Sequence, residues 1–460
     1  MQPIYFHNTL GKQKQAFTPL KDGEVSMYSC GPTVYNDAHI GNLRAYVFAD
    51  VLKRTLIYNG YKVRHIINVT DIGHLTSDAD SGDDKMVNAI KREGLSMSLK
   101  SLEIVAHKYF DKFIRDTTKL NILKADRYPF ASEHIKEDIE MIEVLLDKGF
   151  AYETSTAIYF DTSKQSDYGA FGTISDNTES RIQEDSEKRN QRDFALWKFA
   201  DEGSTVGFSY GERIKLGFPG WHIECSAMSE RYLGVPFDIH TGGIDHIPVH
   251  HTNEIAQTKA SRGVMLANYW LHSEHLTIGQ DKMAKSGENF LTLSYLESEG
   301  VTPLSYRYWL LTSRYSTRID YSLEAIKASG NALQRLKQNL ASIKESGEIS
   351  ESYRTKFLNF INDDLDTPKA LALVWELLKD SSINDADKKA TIIDFDKVLG
   401  LGLDSDEELV IPKEVAELLE MRSEARRNRD WQESDNLRDK IKSLGFELKD
   451  TDTGQQVTKI

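Results

Sequence analysis

Val25-Ser26-Met27-Tyr28-Ser29-Cys30-Gly31-Pro32-Thr33-Val34-Tyr35, followed by His39-Ile40-Gly41-Asn42, is the stretch that decides the fold. The first segment is apolar and alternating, which predicts a strand that starts at Val25, ends near Cys30 and gives way to a loop at Gly31-Pro32. From Ile40 to Tyr58 the apolar positions Leu43, Val47, Val51 and Leu52 recur at helical spacing, and Asn59-Gly60 closes the helix. Val63 to Val69 predicts a second strand. Strand, glycine-containing turn, helix and strand make a βαβ unit of a doubly wound parallel sheet. Ligands of such sheets bind outside the carboxyl ends of the strands, where Cys30 and His39 fall.

Working outward, residues from about 95 to 215 are more polar. They carry one helical stretch (Ile135 to Lys148) and a charge-rich loop (Ser175 to Arg192), and predict an insertion outside the sheet. A second run follows: a helix over Ile223–Tyr232, a strand over Pro236–His240, Gly242-Gly243, and a helix from His251 to Arg262. A hairpin is expected over 267–279, and after Ser286 the chain reads as wholly helical. Leu333, Leu336, Leu340 and Ile343 form one apolar stripe. Thr367-Pro368 reads as an N-cap and first-turn proline. The Gly/Asp/Glu-rich stretch 400–408 suits a linker, and a final helical unit from Lys413 to Leu444 leads to a polar tail.

A chain of 460 residues is too long for one ordinary core, so several domains are expected. No run of 18 apolar residues predicts a membrane span, and the first residues show neither the basic start nor the apolar stretch of a signal peptide. With only two cysteines, a reducing, cytoplasmic setting is expected, where a thiol serves as ligand or nucleophile. The net charge of −14 argues against nonspecific nucleic-acid binding, though local basic patches leave RNA contact open.

Those two cysteines sit in Ser29-Cys30-Gly31 and in Trp221-His222-Ile223-Glu224-Cys225. His250 and Glu254 are four apart on a predicted helix and share a face one turn apart. Zinc accepts thiolate, imidazole and carboxylate, usually four in a tetrahedron, and Cys30, Cys225, His250 and Glu254 supply such a set from three segments. His251 competes with His250 but lies about 100° round the helix, away from Glu254. The short Cys-x-x-Cys spacings of closed structural zinc sites are missing. A site with one hard oxygen ligand can loosen or expand to admit a substrate group, and a soft thiolate is favoured over a hydroxyl there. The chemistry suggests a thiol-bearing substrate.

His39-Ile40-Gly41-Asn42 opens a helix, whose unpaired N–H groups attract phosphate; Gly41 permits close approach, and His39 and Asn42 can donate to phosphate or ribose oxygens. Lys282-Met283-Ala284-Lys285-Ser286 places two lysines three apart, able to clamp a triphosphate and neutralise departing pyrophosphate. It is not a P-loop, since no Gly-x₄-Gly-Lys-Ser/Thr occurs.

The order of these motifs resembles that of the class I aminoacyl-tRNA synthetases, whose HIGH and KMSKS signatures bind ATP. Cys30-Gly31-Pro32-Thr33-Val34-Tyr35, the 192–198 stretch RDFALWK, the 220–228 stretch GWHIECSAM, Asp238 to Gly243 and His250 to Gln257 resemble the cysteinyl-tRNA synthetase family over essentially the whole chain. The resemblance implies a Rossmann-like α/β catalytic domain, doubly wound around a parallel sheet and split by an insertion, then an all-α bundle and a small C-terminal domain. The expected boundaries are 1–118 and 216–265 for the two catalytic halves, 119–215 for the connective insertion and 266–330 for the KMAKS loop and stem-contact region. Residues 331–400 are expected to form the bundle and 401–460 an anticodon-binding domain.

It further implies one Zn²⁺ on Cys30, Cys225, His250 and Glu254, and ATP with Mg²⁺ against Thr33, His39, Gly41, Asn42, Lys282 and Lys285. Trp221 and His240 are expected to line the amino-acid pocket, and Arg426, Asp435 and Asp450 to read the anticodon. The implied partners are L-cysteine, ATP and tRNA(Cys), with no membrane and a monomer favoured. The implied reaction is attack of the cysteine carboxylate on the α-phosphate, then transfer to the tRNA 3′ adenosine. Of the proposed catalytic groups His39, Asn42, Lys282 and Lys285, Asn42 departs from the last His of HIGH, and Ala284 departs from the first Ser of KMSKS. The acidic 71–85 stretch is longer than the family pattern and reads as a solvated loop. Residues 422–442 carry seven basic and five acidic residues on a predicted helical pair, and Trp431 reads either as a base-stacking residue or as part of a small core. A related ligase that passes cysteine to an amino-sugar lacks such a C-terminal unit, and a decayed RNA-binding relative would not need the ligands and lysines retained here.

Overall fold

A computed structural model describes residues 2–72, 85–171, 187–204, 206–210, 214–279, 281–282, 291–404, 413–451 and 454–459. The chain divides into two compact units, Met1–Leu403 and Asp404–Ile460.

The first unit is organised by a four-stranded parallel sheet. Its spatial order is Ala267–Ser273, Phe237–Gly243, Glu24–Ser29, Lys62–Ile67. The strand met first in the chain is internal; the next is added on one side of it and the later two on the other. That reversal lies between Glu24–Ser29 and Phe237–Gly243, where His240 pairs with Tyr28 and Thr241 with Ser29. Parallel sheets are covered on both faces, and Val25, Met27, Tyr28, Ile66, Phe237, Ile239, Trp270 and Leu271 are all buried.

The first strand runs Glu24–Ser29 and ends beside Cys30, as expected. The Cys30 N–H still donates to Thr241 O (3.1 Å), but the Gly31 N–H turns to Asn68 Oδ1 (2.8 Å). The chain passes so close there that a Cβ on Gly31 would lie 1.5 Å from Asn68 O, so only glycine fits. The helix Ile40–Tyr58 has the expected bounds and buries Leu43, Val47, Val51 and Leu52.

Between the two halves of the sheet stand the helices Lys85–Arg92, Leu99–Lys119 and Ile135–Asp147, and a five-stranded antiparallel sheet. The latter runs Ala151–Glu153, Ala157–Phe160, Phe194–Phe199, Ile214–Pro219, Phe208–Tyr210 in space. The insertion is therefore outside the parallel sheet, as expected, yet much more ordered than a helix and a loop. The loop expected over 175–192 and the acidic 71–85 stretch lie largely outside the described residues.

The hairpin expected over 267–279 does not form. Ala267–Ser273 joins the parallel sheet, whereas Leu276–Ile278 pairs antiparallel with Asp281–Lys282 and parallel with Ile319–Asp320. The turn between them is drawn off the sheet by hydrogen bonds from Glu274 N–H to Tyr315 O (2.9 Å) and from the Arg44 guanidinium to the His275 carbonyl. The helices Leu323–Ala341, Glu351–Ile361, Thr367–Lys379 and Asp385–Leu399 follow. Leu333, Leu336 and Leu340 are buried in their core, and Ile343 lies beyond the helix end. Asp366, not Thr367, caps the third of these helices, accepting from Lys369 N–H.

The second unit pairs the helices Lys413–Arg427 and Trp431–Ser443 with a hairpin, Phe446–Thr451 against Gly454–Lys459, where a polar tail was expected. Phe446 and Leu448 alternate into a core with Val415, Leu419 and Ile441. Trp431 is not in that core: it is 59% exposed. Among the described residues no helix is long and apolar enough to cross a membrane.

Candidate active site and metal centre

The carboxyl ends of the strands at the reversal point open onto a cleft of about 640 Å³. Thr33, His39, Gly41 and Asn42 line it, together with Cys30, Trp221, Cys225 and His250. Residues expected at the nucleotide and residues expected at the metal therefore line the same cleft. His39 has a structural duty as well: its Nδ1 accepts from Asn42 N–H (3.0 Å) and caps the Ile40–Tyr58 helix. Lys282 lies in the short Asp281–Lys282 strand, and Lys285 falls outside the described residues.

Cys30, Cys225, His250 and Glu254 each place a ligand atom so that all four lie within 4.8 Å of one another. Cys225, His250 and Glu254 are buried, and both thiols are free of disulfides. Cys30 extends the Glu24–Ser29 strand, Cys225 comes from the helix Trp221–Leu233, and Glu254 from the helix Thr252–Arg262. His250 sits in a π-helical turn, Ile247–His251, that leads into the last of these. Its Nε2 is 2.8 Å from Glu254 Oε1, so the one-turn match survives the wider turn.

These two atoms are buried and close, yet neither has a hydrogen-bond partner. Leaving such groups unpaired costs about 1–3 kcal/mol each. A buried imidazole nitrogen and carboxylate oxygen that face one another at this distance fit a shared cation, and two sulfurs, one imidazole nitrogen and one carboxylate oxygen fit zinc. The other face of His250 is held by His222, Nδ1 to Nδ1 at 2.9 Å, the second contact by which a ligating imidazole is oriented.

The electrostatics pull the same way. Burial pushes the Cys30 thiol well up. A hydrogen bond from Cys30 outweighs burial at Cys225 and, with the charge of His250, draws it down to about 6. Burial opposes charge on His250 and on Glu254. The attraction of Glu254 and Cys225 wins at His250 and holds it at about 10; the attraction of His240 and then of His250 wins at Glu254 and holds it at about 2. The pocket favours net positive charge beside its sulfurs and carboxylate.

Trp221 packs against His250, the rings tilted by 33° with centroids 4.2 Å apart, and forms part of the cleft wall. His240 is fully buried and bonds Glu254 Oε2 through Nε2 at 2.7 Å, so it stands behind the carboxylate. His251, set aside on helical angle, is in the site: its Nε2 is 3.1 Å from Cys30 Sγ. Its Nδ1 is 2.7 Å from His272 Nε2, and His272 Nδ1 is 2.7 Å from Thr9 Oγ1. The offset from Glu254 leaves His251 facing Cys30, which comes from the Glu24–Ser29 strand side of the site. Gly242 carries a trace of this in the sequence, since a Cβ there would lie 2.8 Å from the His251 ring. Nothing in the sequence pattern pointed to His272. In the second unit Arg426 is half-buried, Asp435 is exposed, and Asp450 lies in the Phe446–Thr451 strand.

A family model for the class I (C) tRNA synthetase catalytic domain matches residues 16–331, and one for the cysteinyl-tRNA ligase anticodon-binding domain matches 410–457. The chain is 43% identical to cysteine–tRNA ligase 1 of Burkholderia lata, covering 99% of this chain and 97% of that protein. It is 39% identical to the cysteine–tRNA ligase of Treponema denticola, covering 97% and 98%. Among solved structures, Mycobacterium tuberculosis methionyl-tRNA synthetase in complex with methionyl-adenylate aligns with a TM-score of 0.55 at 17% identity, over 82% of this chain and 90% of that one. The Agrobacterium radiobacter K84 agnB2 LeuRS-tRNA-LeuAMS complex aligns at 0.59 and 11% identity, over 86% and 87%. At such identities the likeness shows a shared fold. With both parts of the chain matched and relatives aligned from end to end, the chain belongs to the cysteine–tRNA ligase family of class I aminoacyl-tRNA synthetases.

Proposed function

We propose that this chain activates L-cysteine with ATP and transfers it to tRNA(Cys), with one zinc ion on Cys30, Cys225, His250 and Glu254 selecting the thiol. The observation that carries the reading is the single cleft shared by Cys30, Cys225 and His250 with Thr33, His39, Gly41 and Asn42. The cysteine carboxylate attacks the α-phosphorus, the bond to the bridging oxygen breaks, and pyrophosphate leaves. The 2′-hydroxyl of the tRNA 3′ adenosine then attacks the acyl carbon and releases AMP. No protein nucleophile is needed; positioning and charge carry both steps.

His39 and Asn42, at the start of the Ile40–Tyr58 helix, hold phosphate oxygens, with Gly41 leaving room and Thr33 donating beside them. Lys282 and Lys285 neutralise the departing pyrophosphate, which Mg²⁺ accompanies. Bound zinc supplies a soft Lewis-acid contact that prefers sulfur to oxygen. Trp221 walls the amino-acid pocket, and His240 fixes the carboxylate of Glu254 from behind. Pocket shape alone separates near-isosteres poorly, so a thiol-selecting site removes the need for a separate editing step against serine. Arg426, Asp435 and Asp450 read the anticodon, and the enzyme works as a cytoplasmic monomer.

The test is ATP–pyrophosphate exchange in zinc-replete protein. Exchange should depend on cysteine, with serine at least about 100-fold poorer; equal rates with the two amino acids would overturn the selector role. Charging of tRNA(Cys) tests the second step.

A further inference from the structure

We propose that Cys30, His240, His251 and Glu254 form a second seat for the same metal ion, overlapping the first; this rests on the zinc reading above. Their ligand atoms also lie within 4.8 Å of one another, and the three residues other than Cys30 are fully buried. Cys30 and Glu254 belong to both sets, so the geometry describes one ion with two positions. Glu254 divides its oxygens between them: Oε1 lies 2.8 Å from His250 Nε2, and Oε2 lies 2.7 Å from His240 Nε2.

On the far side, His251 Nε2 faces Cys30 Sγ at 3.1 Å. Its Nδ1 is engaged at 2.7 Å by His272, itself anchored on Thr9, which is the outer support that orients a ligating imidazole. His240 keeps a buried Nδ1 with no hydrogen-bond partner. The first seat offers two sulfurs, one nitrogen and one oxygen; the second offers one sulfur, two nitrogens and one oxygen. Both are sets that zinc and cobalt accept. If Cys225 or His250 is withdrawn, four ligands remain in place.

Cobalt reports the difference through its visible spectrum. Protein stripped by a chelator and reloaded with Co²⁺ is analysed for metal content and for the thiolate-to-cobalt band. Wild type should hold about one cobalt per chain with two thiolates. Cys225→Ala should still hold about one, with the band reduced by about half. Adding His251→Ala to it should weaken binding by at least about tenfold, and Cys30→Ala, which strikes both seats, should do so alone. His250→Ala, with and without His251→Ala, gives the same comparison should circular dichroism show Cys225→Ala unfolded. The second seat is excluded if Cys225→Ala and His250→Ala lose cobalt as completely as Cys30→Ala, or if His251→Ala changes nothing in their backgrounds. A wild type that takes up no cobalt overturns the metal reading itself, and the second seat with it.

Discussion

His250 Nε2 and Glu254 Oε1 stand 2.8 Å apart, both buried and neither hydrogen-bonded. A folded chain tolerates such a pair where something else satisfies it. The neighbouring thiols and the His222 and His240 contacts on the outer faces of the same two residues explain what that is.

Glu254→Gln keeps the size of the side chain and removes its charge. The amide can still accept from His240, so the helix should fold, but the oxygen facing His250 is a poorer ligand. Zinc retention after dialysis against a weak chelator should fall by about 10- to 100-fold in affinity. Unchanged retention would place the ion elsewhere.

Substitution can separate the helix cap that His39 provides from the nucleotide contact proposed for it. His39→Ala removes the acceptor of Asn42 N–H and should cost about 1 kcal/mol in denaturant unfolding. His39→Asn restores a good cap and most of that stability. Pyrophosphate exchange should stay low in both, because neither replacement reaches the nucleotide as imidazole does. Recovery of exchange along with stability would reduce His39 to a cap.

At Gly31 the obstacle is backbone. A methyl group would lie 1.5 Å from Asn68 O, with no flexible side chain to move aside. Gly31→Ala should therefore lower stability by about 2 kcal/mol or more. It should also shift Cys30, the preceding residue, so zinc affinity and denaturation midpoint should fall together. Normal values for both would show that the loop relaxes freely.

His65 gives the pH dependence a sign. It is 2% exposed, and burial first, then the charge of Lys53, push it down to about 3, against about 6.5 in an unfolded chain. Between those values the unfolded chain binds a proton that the folded one refuses. Stability from this group is complete above about pH 6.5 and is lost as pH falls towards 3, by up to about 1.4 kcal/mol per pH unit. Urea unfolding between about pH 4 and 5.5 should show a shallower slope in His65→Gln by about one proton. Parallel slopes would mean that His65 titrates alike in both states.

Side-chain chemistry and helical spacing were enough to single out the first βαβ unit and four residues that converge at the candidate metal centre. Position across the fold was not readable. Phe194–Phe199 begins with four buried residues, so it lacks the alternation that marks a strand, and the five-stranded sheet around it went unseen. The hairpin misreading at 267–279 has a tertiary cause, the capture of Glu274 and His275 by Tyr315 and Arg44. His251 reaches the site by way of Cys30, not Glu254, a contact between segments far apart in the chain that helical spacing does not show. His272 comes from a strand with no motif of its own, and only the fold brings it to His251.

Trp431 separates structure from recognition in the second unit. It opens the Trp431–Ser443 helix with 59% of its surface exposed, while Val415, Leu419, Ile441, Phe446 and Leu448 make the core without it. A large exposed aromatic close in sequence to exposed Arg427 and Arg429 suits stacking on a base with phosphates nearby. Trp431→Ala should change unfolding stability by no more than about 0.5 kcal/mol. Loss of one stacked base costs about 1–3 kcal/mol, so the KM for tRNA(Cys) should rise about 5- to 150-fold while cysteine-dependent pyrophosphate exchange stays as in wild type. If charging is untouched, the ring does not meet the tRNA; if exchange falls too, it supports the catalytic unit instead.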